Sequence, residues 1–90
     1  MTVIELADVV FASDLQQQPA PDKRQVAAAI SRVLTRHDLT WCVCQVAAEA
    51  GEHPECYQRR MRWALAVSRD YAALAATEID QLSVSLDSRA

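Results

Sequence analysis

Five residues of this chain have side chains that bind metals or attack substrates: Cys42, Cys44 and Cys56, with His37 and His53. Thiolate sulfur and imidazole nitrogen are ordinary zinc ligands, and a cysteine beside a histidine is an ordinary nucleophilic pair. The spacing favours neither chemistry. Cys42 and Cys44 stand two apart in a segment of helical periodicity, so they diverge by about 200° around the axis and cannot share an ion while the helix is intact. His53 and Cys56 stand three apart across a helix start and could meet, but two ligands make no site and nothing orients His53 as a base. No glycine-rich phosphate loop, nucleophile elbow or His-Glu-x-x-His motif occurs. The chain is therefore expected to hold no metal and no cofactor, and not to be an enzyme. Three cysteines, an odd number, make no disulfide framework and suit a reducing compartment.

A second set of residues could do chemistry of another kind. Arg59, Arg60 and Arg62 follow one another closely, with Arg69 two turns on. The formal net charge is −3, yet it is unevenly spread. Residues 22–70 hold eight Lys or Arg against six acids, whereas the two ends hold one Arg against six acids. The net charge argues against a simple polyanion binder, and a slightly basic middle between acidic ends, though compatible with a nucleic-acid face, is more often just a solvated surface.

Helices must position these groups. Alanine is abundant, Gly51 is the only glycine, and the three prolines stand at 19, 21 and 54, so hairpin turn chemistry is missing and the class should be all-α. Thr2 with Glu5 has capping-box spacing and opens a helix to about Ser13, with Val3, Leu6, Ala7, Val10 and Phe11 as its apolar stripe. Leu15 to Pro21 reads as a linker. Asp22 with Gln25 opens a second helix to about Arg36, its stripe running through Val26, Ala29, Ile30, Val33 and Leu34 and extending to His37. Asp38 caps a third, whose stripe is Leu39, Cys42, Val43, Val46, Ala47 and Ala50, with Trp41 at the edge of the core. Gly51 is placed as the C′ residue with positive φ, and Pro54 as the first residue of a fourth helix reaching about Ala76. That long helix carries Tyr57, Met61, Ala64, Leu65, Ser68 and Ala72 on one stripe and Cys56, Trp63, Val67 and Leu74 on a neighbouring one. Arg59, Arg62, Ala66 and Arg69 define a wet, positive face.

The expected architecture is a compact bundle of four helices with a helix-turn-helix-like corner at Gly51–Pro54. Residues 1–76 form one helical domain. Residues 77–90 form an acidic, Ser-rich tail in which Ile79, Leu82, Val84 and Leu86 are scattered: a short helix, a docking arm for a second subunit, or a frayed end. No segment is long and apolar enough to span a bilayer and the start lacks a basic signal region, so the expectation is a cytoplasmic protein without membrane association.

The corner, with Val46, Ala47, Gly51, Met61 and the arginines that follow, resembles the helix-turn-helix of repressors and of the sigma-factor region that reads the −35 element. It covers roughly residues 45–65. The resemblance implies a small DNA-associated regulatory protein whose second helix enters the major groove. Glu52 and Glu55 depart from the family pattern by setting negative charge at the start of that helix, so phosphate contacts from Arg59, Arg60 and Arg62 are expected rather than base reading. The alternative is a helical interaction or dimerisation module, without nucleic acid, in which Trp63, Val67 and Leu74 face a second copy or another helical protein.

Overall fold

The computed structural model describes the backbone of residues 1–87 and the side chains of residues 1–76. It is an all-α arrangement of four helices: α1 (Val3–Ala12), α2 (Lys23–Arg36), α3 (Leu39–Glu52) and α4 (Pro54–Asp87). No strand occurs among the described residues.

Local sequence sets the first three starts. The Thr2 hydroxyl accepts from the Glu5 N–H at 3.1 Å, the Asp22 carboxylate from the Gln25 N–H at 2.8 Å, and the Asp38 carboxylate from the Trp41 N–H at 2.8 Å. Glu5 and Gln25 return the bond to the cap backbone, which closes two capping boxes. The reciprocal bonds hold the Glu5 carboxyl below its usual pKa.

The centre of the body is α1, which packs against each of the other three helices. Its Ala7, Val10 and Phe11 form one cluster with Val26 and Ala64, while Val9 forms a second with Val33 and Cys42. Ile30 of α2 touches both clusters and joins them. A ten-residue helix with an apolar residue on nearly every side can only be stable when surrounded. The single stripe expected of α1 is therefore too narrow, because Val9 is fully buried as well.

In α3 the reverse holds. Cys42 is fully buried as its position in the stripe implied, but Val43 is 46% exposed and Ala47 is also at the surface. Trp41 sits at the core edge, stacked on His37 with ring centroids 3.6 Å apart.

Two expectations about the corner and the tail need correction. Gly51 lies inside α3 and has no positive φ. Pro54 ends the helix instead: its ring excludes helical backbone at His53, which adopts φ −137° and ψ 71°, and it brings no N–H to the ladder. His53 is then the one residue between α3 and α4. Its N–H donates to the Glu49 carbonyl at 2.7 Å, and its own carbonyl accepts the first α4 bond from the Tyr57 N–H at 2.9 Å. The fourth helix, expected to end near Ala76, continues unbroken to Asp87, so most of the tail is an extension of α4 and not an element of its own.

That continuation sets the shape. At 34 residues α4 is about 51 Å long, against about 15–21 Å for α1, α2 and α3 at 10, 14 and 14 residues. The molecule measures 56 × 25 × 17 Å, and its long dimension is that of α4.

Candidate interaction surfaces of the fourth helix

The residues singled out on α4 divide into three groups by what they touch. Arg60 turns inward. Its Nε donates to the Phe11 carbonyl at 2.9 Å, and its Nη2 donates to the carbonyls of Ser13 at 3.0 Å, Leu15 at 3.2 Å and Val10 at 3.5 Å. Those carbonyls lie at the C-terminal end of α1 and just past it, where a helix leaves acceptors unpaired and its dipole favours a cation. The guanidinium also lies over the Trp63 ring at 4.9 Å and the Phe11 ring at 5.5 Å. Half-burial lowers the Arg60 pKa from its ordinary value, an effect that the charge of Glu49 opposes. Expected beside Arg59 and Arg62 as a phosphate contact, Arg60 is instead the clasp between α4 and α1.

Arg59 and Arg62 stay outside. Both are exposed, as are Ala66 and Arg69, which lie along the same face. Three guanidinium groups thus step along one side of the helix in water, with no ion pair to any described residue.

Trp63, Val67 and Leu74, expected on a partner face, separate. Trp63 and Val67 are half-buried and pack against the cluster of Phe11, Val26 and Ala64, so the body of the chain already covers much of them. Leu74 is 48% exposed and lines a shallow cavity of about 250 Å³ with Val67, Tyr71, Pro21, Lys23 and Val26. It lies where the body gives out and α4 goes on.

The buried face of α4 is built from small side chains. Ala64 and Ser68 are fully buried, and Ala72 and Ala75 are half-buried one and two turns further on. Small residues let two helix backbones approach closely. The Ser68 hydroxyl has no hydrogen-bond partner, which makes it an unpaired polar group inside an otherwise apolar contact.

Once α4 is known to be continuous, a pattern emerges that the tail alone does not display. Met61, Leu65, Ser68, Ala72, Ala75, Ile79, Leu82 and Leu86 alternate by four and three residues. The first five make up the face that is buried or half-buried in the body. The last three carry the same repeat in the sequence towards the end of the helix.

The thiols do not assemble. Cys42 is buried, which raises its pKa through desolvation, and Cys44 and Cys56 are exposed. Among the described residues no three His, Cys, Asp or Glu side chains come together in a way that could hold a metal ion. His53 Nδ1 lies 3.4 Å from Glu49, one turn back, and not against Cys56. No described helix is long and apolar enough to cross a membrane.

No protein-family model matches the chain, and no curated protein or solved structure matches it either. The functional reading therefore rests on these surfaces.

Proposed function

We propose that this chain is a helical protein-interaction module whose binding element is the second half of α4. One observation carries the reading: α4 is more than twice as long as any helix it packs against, and its heptad stripe continues where the neighbours stop. A helix that served only the fold would need no such length, because its apolar residues stabilise the fold only where another element covers them.

A second reading keeps duplex DNA as the partner, with a regulatory role as the helix-turn-helix resemblance implied. Arg59, Arg62 and Arg69 favour it, being exposed together on one face. Against it stand the acids Glu52 and Glu55 at the start of α4 and the commitment of Arg60 to α1.

Titration of a fluorescent random-sequence duplex at low salt separates the two. The module reading expects no saturable binding. Binding that falls steeply with added salt, and that Arg59→Glu with Arg62→Glu abolishes, would replace it with the DNA reading.

A further inference from the structure

A groove runs between α2 and the segment that leads into it. Two open cavities make it up, one of about 540 Å³ and one of about 330 Å³, and Asp14 and Arg32 line both. One wall is α2, through Arg24, Ala28, Arg32 and Arg36, which follow in steps of four and so stay on one slowly turning side of the helix. The segment 12–21 supplies the other wall.

The charge in the groove is one-sided. Arg24, Arg32 and Arg36 are all exposed, and neither Arg24 nor Arg36 is ion-paired with a described residue. Arg32 is met by Asp14 alone, with Nη2 donating to Oδ1 at 2.9 Å and both side chains more than half exposed. A carboxylate held that far out in water exchanges readily for another. Arg32 also holds the Asp14 carboxyl below its usual pKa, so this position favours a charged carboxylate. Asp22 and Asp38, which flank α2 in sequence, do not line the groove and accept instead from the backbone N–H groups of Gln25 and Trp41. Asp14 is thus the chain's own occupant of a carboxylate position midway along a row of arginines.

We propose that this groove binds an acidic peptide segment in extended conformation, with its carboxylates on Arg24, Arg32 and Arg36 and an apolar side chain in the cavity beside Trp41. Spacing supports a strand-like ligand. Along α2, Arg24 and Arg32 are about 12 Å apart and Arg32 and Arg36 about 6 Å. In an extended chain, residues four and two apart share a face at about 13 Å and about 7 Å. Gln16, Gln18 and Gln25 carry amides that both donate and accept, as a peptide backbone requires. The smaller cavity has Ala12, Val33 and Trp41 among its lining, which suits an apolar side chain next to the last carboxylate. A single nucleic-acid strand would offer phosphates at similar intervals, but it needs free aromatic faces for its bases. Here Trp41 is already stacked on His37, a carboxylate sits at the centre of the groove, and the chain carries a net charge of −3. No residue of α4 lines either cavity, so this surface is additional to the one proposed for that helix and is tested separately.

Fluorescence anisotropy of a labelled Glu-Ser-Ser-Ser-Glu-Ser-Glu-Leu peptide, and of the same residues in reverse order, reads the binding directly. The full chain is titrated to about 500 μM, the weak range expected of an open groove with few contacts. At least one of the two peptides should saturate, and Gln in place of Glu in that peptide should remove the binding. A peptide of the same composition with its acids clustered, Glu-Glu-Glu-Ser-Ser-Ser-Ser-Leu, should bind more weakly. Arg32→Gln and Arg36→Gln should each weaken the complex by about two- to fivefold, the range of one exposed ion pair, with circular dichroism unchanged. Asp14→Asn should tighten it by up to about fivefold, because Arg32 is released, whereas Glu55→Gln, an equal change of net charge on another helix, should not. No saturation by either peptide, equal binding of the clustered one, or no gain from Asp14→Asn overturns the proposal. A labelled twelve-nucleotide deoxythymidine strand that binds more tightly than the peptides and is lost in the same arginine variants would assign the groove to nucleic acid, and overturns it as well.

Discussion

Replacing Arg60 with Met keeps a long, mostly apolar stem over Phe11 and Trp63 and removes all five guanidinium donors. Four carbonyls then lose a partner, but four full bonds are not at stake. Nη2 has two N–H groups for three acceptors, one of them at 3.5 Å, so with Nε the effective number is about three. Charged hydrogen bonds contribute about 1.5–3 kcal/mol each, and simple addition would give roughly 5–9 kcal/mol. That sum is too large. The lowered Arg60 pKa shows that burial already acts against the charge, and the Ser13 and Leu15 carbonyls can turn to water once released. We expect Arg60→Met to cost about 2–4 kcal/mol, a large part of the roughly 5–13 kcal/mol available to a domain of this size. Arg60→Lys should fall between, since an ammonium keeps the charge at the end of α1 but cannot fork across acceptors on both sides of it.

Urea unfolding followed by helical circular dichroism measures the difference, with an unchanged slope showing that the unfolding unit is the same. Hydrogen exchange adds a local readout, in which the Leu15 N–H, now held by the Ser13 hydroxyl at 3.2 Å, should lose protection together with the segment after α1. Were Arg60 an outward, solvated side chain like Arg59 and Arg62, both variants would fall within about 0.5 kcal/mol of the parent. A value that small for Arg60→Met would refute the clasp.

Two further outcomes test the corner and the core. Gly51→Ala should stabilise by about 0.5–1 kcal/mol in the same urea assay, because Gly51 is helical, has no positive φ, and a Cβ there meets nothing within 4 Å; destabilisation would mean that the corner needs a glycine after all. Burial raises the Asp8 pKa and Glu5 adds to the effect, so for this acid the folded pKa lies above the unfolded one and the charged form opposes folding at neutral pH. Asp8→Asn should therefore stabilise at pH 7, and the gain should shrink to nothing as pH falls through the folded pKa and below the unfolded value near 3.8; a gain independent of pH would exclude the charge as its cause.

The sequence disclosed most where the rule is local. Capping residues at Thr2, Asp22 and Asp38 act within four residues of themselves, and all three helices start where those residues stand. Pro54 behaves in the same way. Gly51 misled because glycine permits a positive φ without requiring it, and the neighbouring proline decided where the helix ended. Arg60 was illegible for a different reason. Its role depends on where the end of α1 arrives, some 45–50 positions away in the chain, and nothing in the spacing of Arg59, Arg60 and Arg62 distinguishes the inward one except that Arg60 is one step nearer the stripe of Ala64. The extension of α4 was half legible. Ile79, Leu82 and Leu86 look scattered when the count begins at Thr77 and periodic when it begins at Met61, so the repeat becomes visible only if the helix is assumed continuous.

Continuity also separates folding from association within one helix. Starting a helix is costly because several residues are fixed before the first bond forms, but each added residue afterwards is nearly neutral. Residues 54–76 of α4 meet the starting cost through their contacts with α1, and Ala72, Ala73, Ala75 and Ala76 favour propagation into the extension. Propagation of the helix into residues 77–87 is therefore cheap once residues 54–76 are helical. On the proposed reading, energies on the two halves should be independent: Arg60 and Ala64 act on a folding equilibrium that does not depend on concentration, while changes at Ile79, Leu82 and Leu86 would act on association with a partner, which does. A double variant, Arg60→Met with Leu82→Glu, should accordingly show additive effects on dilute protein, with the second change contributing less than about 0.5 kcal/mol there and its whole effect appearing only in the presence of a partner.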